Sequence, residues 1–172
     1  FKKVAPEVAR MCRWIVAQRE KTKRVDAYGE KLPNYGLTPP GIIADWPRLT
    51  NTAFQEAHYY AGLREAARVL ASIEHPDATD LADNAKAYRD DILRAYRWTQ
   101  ARSPVVPRGD GTWVPAQPPI FFIFGNVGGF FPGEDGSRAW CKNADAHYLM
   151  VNGAIDPNSE EASWMLDIME GI

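Results

Sequence analysis

Cysteine is nearly absent from this sequence: Cys12 and Cys141 are its only two, and they stand far apart. They make no CxxC or Cys/His spacing, which speaks against a zinc motif or a disulfide framework and leaves both as expected small buried hydrophobes. Histidine is almost as scarce. His58, His75 and His147 show no metal-ligand spacing, so no metal is expected. No run of roughly 18 apolar residues occurs, so no helical membrane span is expected. An excess of positive charge is lacking too: a net charge of -2 and a pI near 5.9 argue against a nucleic-acid partner. GxSxG, Walker A, GxGxxG and HExxH are all missing, and with them the usual signs of serine hydrolases, P-loop enzymes, dinucleotide enzymes and zinc proteases. No cofactor is expected.

What is present is enough for one domain. A chain of 172 residues, 45% hydrophobic, buries roughly 70% of its unfolded surface. Residues 1 to 31 are locally basic, with nine Lys or Arg against four acids. These charges spread around a helical repeat, which reads as a solvated face and not as a polyanion site.

Helical periodicity dominates. Residues 4 to 22 place Val4, Val8, Met11 and Ile15 at steps of four, three and four, predicting a first helix. A second starts near Thr52, where Thr52 and Gln55 have capping-box spacing, and runs to about Ile73. It is apolar nearly all round, which predicts burial on several sides. After a turn at Glu74 to Pro76, Asp77 reads as the cap of a third helix, about 77 to 100. That helix has one apolar stripe, Leu81, Ala85, Tyr88, Ile92 and Ala95, and lies on the outside. A fourth is expected over about 137 to 151, poor in charge, and a fifth opens at Asn158 or Ser159, with Asn158 and Glu161 at cap and N3 spacing.

Two connections are far longer than joining helices requires. Val25 to Leu49 is rich in Pro and Gly. Ser103 to Gly136 holds six prolines and seven glycines, with strand-like pieces at Thr112 to Val114 and Ile120 to Phe124. Long connections alternate with short turns. With consecutive helices antiparallel, both long connections fall at one end, and each feeds an inner helix. No fixed repeat period of the tetratricopeptide or HEAT kind is visible.

This alternation, with GLTPPGIIADWPRLTNTAFQEAHYYAGLREAARVL at 36 to 70 and DNAKAYRDDILRAY at 83 to 96, resembles the six-hairpin glycosidases. These are (α/α)6-toroid glycoside hydrolases of glucoamylase-like, amylo-1,6-glucosidase-like and rhamnosidase-like kinds. The resemblance implies an all-α fold in which antiparallel hairpins form part of a toroid. About five of twelve helices are accounted for. The chain opens on Phe1 inside a helical pattern and stops barely three turns into another, so residues 1–172 are expected to be one piece of a larger catalytic domain. Its cut edges should be apolar, covered by the remainder of the polypeptide or by a partner chain.

The resemblance also implies an oligo- or polysaccharide substrate and a pair of carboxylates, one to protonate the leaving oxygen and one to activate water. Asp45, in the loop before the second helix, stands where such toroids place the acid. Glu134 and Asp135 hold the corresponding place before the fourth helix. Trp46 offers a flat ring to a sugar face. Arg48 suits a hydroxyl or acidic substituent, or an ion pair with Asp45, and Tyr35 joins these as a substrate-binding candidate. Glu56 and His58 stand on an otherwise apolar helix, where a charge needs a partner or a cavity. Two alternatives stay open. One is a polysaccharide lyase using Arg48, Asn51, His58, Tyr59 and Tyr60. The other is a non-catalytic helical scaffold that binds a partner protein.

Overall fold

A computed structural model describes residues 1–42, 49–122 and 145–170. The first helix, α1 (Ala5–Glu20), carries Pro6 in its opening turn, where a missing N–H costs nothing. It has Glu7 near its positive end and Arg19 near its negative end. Its buried line is Ala5, Ala9, Cys12 and Arg19, with Val8 and Ile15 half-buried beside it. The expected stripe is therefore rotated: Val4 is 52% and Met11 64% exposed. Two apolar lines share the helical period here, and the one made of small residues lets the backbone approach its neighbour closely.

That neighbour is α2 (Ala53–Ala71). Thr52 caps it as predicted, its Oγ accepting from Gln55 N at 3.1 Å. The reciprocal half of the capping box is absent, because Gln55 Nε2 donates to Thr38 Oγ at 3.1 Å instead. Ala53, Ala57, Leu63, Ala67 and Leu70 are buried. Burial is not all round: His58, Gly62, Glu65 and Arg68 keep one strip in solvent. Past the C-terminus the chain reverses through Glu74, whose φ is +57°, and His75 N bonds Leu70 O at 3.0 Å.

The return helix is α3 (Ala78–Gln100), which buries Leu81, Ala85, Tyr88, Ile92 and Ala95 as the period predicts. Asp77 makes no capping bond, contrary to expectation; its carboxylate pairs with Arg13 of α1. An ion pair to a neighbouring helix competes successfully with the local backbone for that carboxylate.

The second long connection contains a hairpin, β1 (Val105–Pro107) against β2 (Trp113–Pro115), in antiparallel register with Val106 opposite Val114. Val114 and Val106 pack on Ile168 and Trp164 of the last helix, and Arg108 pairs with Asp167 at 3.3 Å. Ile120 bridges Thr52 at the head of α2, and the expected strand beyond Phe122 lies outside the described residues. Of the expected fourth helix, the described part is a 3-10 turn, Asp145–His147, running into α4 (Tyr148–Val151). The last helix, α5 (Glu160–Glu170), is capped by Ser159, whose Oγ accepts from Ala162 N at 3.3 Å. Asn158 bonds Asp156 instead.

The fold is thus all-α in its elements, with a two-stranded sheet as the sheet among the described residues. Phe54 meets Tyr148 and Arg64 meets Asn152, so α2 and α4 run in the same direction and begin side by side.

Candidate functional site

Asp45, Trp46 and Arg48 lie outside the described residues, as do Glu134 and Asp135. What the structure does show is the base on which the first of these two stretches stands. Gly41 and Thr50 exchange two backbone bonds of 2.9 Å each, so the chain leaves for residues 42–49 and returns at one point. The returning arm is fixed again by the second connection. Ala53 N bonds Pro119 O at 2.8 Å and Phe121 N bonds Asn51 O at 2.9 Å.

Under this base sits Glu56, in the first turn of α2 and fully buried. The helix sequence explains its direction: on a helix whose buried line is Ala53, Ala57, Tyr60 and Leu63, position 56 faces inward. Four donors surround the carboxylate. Oε1 accepts from Thr38 Oγ at 2.7 Å and from Asn51 Nδ2 at 3.2 Å. Oε2 accepts from Thr38 N at 3.2 Å and from the Tyr88 hydroxyl at 2.5 Å. Thr38 belongs to the outgoing arm and Asn51 to the returning one, and Asn51 Nδ2 also reaches Thr38 O at 2.7 Å. One side chain therefore holds both arms to the helix head. Burial pushes the Glu56 carboxyl above the usual range, opposed by these four bonds. Burial and the neighbouring Glu56 raise the Tyr88 phenol far above its ordinary value, so Tyr88 remains a neutral donor. With no solvent contact, Glu56 binds structure here and does not present an acid.

A second buried group lies behind Tyr88. Arg19, read from sequence as part of a solvated face, is fully buried, with its guanidinium 4.3 Å from the Tyr88 ring centre. It donates to Gly36 O at 2.8 Å, to Asn84 O at 3.0 Å and to Asp91 Oδ2 at 3.0 Å. Asp91, also buried, accepts from Arg94 at 2.9 Å. Gly36 has φ +73°, and a Cβ there would come 1.9 Å from Asp91 Oδ2, so only glycine fits. Tyr35 is half-buried, its ring 4.5 Å from Lys31 Nζ and its carbonyl accepting from Arg94 at 2.6 Å. It is set into this ion group.

His58 points away from Glu56 into solvent. Its Nδ1 lies 2.7 Å from Phe54 O, and since a carbonyl only accepts, Nδ1 donates in this contact and leaves Nε2 as the ring's other polar atom. Sequence reading singled out Glu56 and His58 but not their partners. The signal for Glu56 was a charge among alanines, which demands donors. That Thr38 and Tyr88 supply them depends on contacts across 18 and 32 residues, beyond any local period. Comparison with protein-family models, with curated proteins and with solved structures gives no match.

Proposed function

We propose that this chain forms part of an α/α-toroid glycoside hydrolase that cleaves oligo- or polysaccharides by a two-carboxylate, inverting mechanism. The observation that supports it is the fixing of the Asp45 connection. Two backbone bonds close its base, and one buried carboxylate ties both its arms to the head of a buried helix. A fixed base is a foundation on which an acid could be carried toward a glycosidic oxygen. In this reading Asp45 is the general acid, Trp46 stacks on the sugar and Arg48 grips a hydroxyl. Glu134 or Asp135 supplies the second carboxylate of the pair that inversion requires. Phe1, Val4, Met11 and Trp14 on one edge, and Leu166 and Met169 on another, are exposed apolar residues, consistent with further hairpins or a partner chain lying against them.

The test is hydrolysis of a glycan panel by the intact protein and by Asp45→Asn. Loss of at least about 100-fold in kcat is expected, the usual contribution of a general acid; full retention removes Asp45 from the mechanism. A lyase is favoured by one observation, the solvent exposure of His58 near the head of α2. Lysis leaves an unsaturated product that absorbs in the ultraviolet, and hydrolysis does not, so one spectrum separates the two.

A further inference from the structure

Beside the buried carboxylate, the heads of α2 and α4 bring four rings together. Phe54 and His58 stand one helical turn apart with ring centres 4.2 Å apart. Tyr148, the first residue of α4, meets Phe54 edge-on at 5.0 Å and leans on His58 at 4.9 Å. His147 tilts against Tyr148 from another side at 4.3 Å. His58 is exposed and the other three are half-buried, so the group forms part of the surface and not of the core. It also lies where the first long connection enters α2.

Two polar groups edge this surface, the His58 imidazole and the Tyr148 hydroxyl. His58 Nδ1 is committed to Phe54 O, which leaves Nε2 as the ring's remaining polar atom. The Tyr148 hydroxyl makes no hydrogen bond among the described residues, and it is not enclosed. Among the described residues no Lys or Arg lies over any of these rings. Flat apolar rings edged by His58 and by the Tyr148 hydroxyl match a ligand with apolar faces and a hydroxyl edge.

We infer that Phe54, His58 and Tyr148 form a binding subsite for a pyranose, the rings stacking on the sugar face while His58 Nε2 and Tyr148 Oη bond its hydroxyls. The inference rests on the glycoside reading above for its ligand class, but its geometry involves none of the carboxylates proposed there. The sugar that occupies the subsite is held by rings on two helices, so its orientation is set by how α2 and α4 begin together.

The experiment is a titration of the protein with maltohexaose, cellohexaose and xylohexaose, with adenosine as a flat non-saccharide control. Aromatic 1H–13C NMR signals of His58 and Tyr148 are followed alongside calorimetric affinity. One hexasaccharide is expected to shift both signals, and His58→Ala to weaken it at least about tenfold, the loss typical of removing a stacking ring. His58 is exposed, so this variant leaves the core intact; Tyr148→Phe tests the hydroxyl separately. Trp113→Ala, at the remote hairpin, should leave affinity unchanged. Affinity indifferent to His58→Ala, shifts confined to other residues, or saturation by adenosine and none of the saccharides overturns the subsite. Binding without cleavage keeps the subsite and removes the hydrolase; cleavage with His58 and Tyr148 undisturbed does the reverse.

Discussion

The two ends of the α2–α3 pair are built on different principles. At the head, where α2 begins and α3 finishes, Glu56, Arg19 and Asp91 are all buried and saturated with partners drawn from α1, α3 and the connection between α1 and α2. At the other end, a short turn joins the helices, and the charges there, Arg64, Glu65 and Arg68, pair on the surface. A groove of about 420 Å³ opens between the helices at that end, lined by Ala67, Ala71, Ala78 and Ala82. Surface pairs of that kind contribute roughly 0 to 1 kcal/mol, whereas breaking a buried pair costs several times more. Burying charge at the head is expensive, and the expense falls where irregular chain must be held in place. The difference marks the head as the end at which geometry matters.

The comparison breaks most severely if the buried ion group fails. Asp91→Ala leaves Arg19 charged, enclosed and without its carboxylate, and a loss of about 3 to 5 kcal/mol is expected in urea unfolding. A loss no larger than that of a surface pair would mean the head is not the specially built end.

Next in size is Glu56→Gln. The amide matches the carboxylate in shape but not in hydrogen-bond sense. Placed at Oε1, its NH2 would face Asn51 Nδ2; placed at Oε2, it would face Thr38 N; in either case two donors meet. About 2 to 3 kcal/mol should be lost, the desolvation cost of an unmatched buried group. The pH dependence gives a second signature. The folded carboxyl titrates above its unfolded counterpart, because of burial, so across that interval the folded state holds the extra proton. Stability contributed by this group is therefore present below the ordinary glutamic acid value and declines as pH rises through the raised one. Unfolding series from about pH 8 down to about pH 4.5 should show wild type gaining stability relative to Glu56→Gln, since only the acid titrates. Parallel curves would show that Glu56 does not titrate with folding.

How far the head was legible in the sequence follows from the range of the interactions. Period and capping chemistry are local, so the α3 stripe, the Thr52 cap and the alternation of long and short connections were all readable. The direction of α1 was not, because Val4–Val8–Met11–Ile15 and Ala5–Ala9–Cys12 fit the same period, and volume at a distant contact decides between them. Arg19 misled for a similar reason: a basic residue on a basic helix looks solvated until Asp91, 72 positions later, is placed beside it. Glu56 and His58, two residues apart on one helix, point to opposite sides. That much the helical period contains, but which side is core required α3. The aromatic group at Tyr148 joins residues 54 and 148 and has no trace in local pattern.

The smallest effect concerns the turn end, where the same reversal occurs twice with different residues. After α2, Glu74 takes φ +57°, with His75 N returning to Leu70 O at 3.0 Å. After α4, Gly153 takes φ +74°, with Ala154 N returning to Leu149 O at 2.7 Å. Both are αL terminations, but only the second has the residue that adopts this conformation without strain. Replacing Glu74 by Gly removes a side chain from a left-handed position and should add about 0.5 to 1 kcal/mol, the αL penalty less the entropy that glycine adds to the unfolded chain. Gly153→Ala should go the other way by about 1 kcal/mol or somewhat more. It imposes the same strain and brings a Cβ to 2.5 Å from Arg64 Nη1, a group already engaged with Asn152 O at 2.9 Å. Opposite signs in paired thermal melts would show that a left-handed residue at each reversal favours glycine, with the Arg64 contact adding to the loss at Gly153→Ala. A loss at Glu74→Gly would instead mean that the Glu74 side chain holds a contact that makes this end more than a plain reversal.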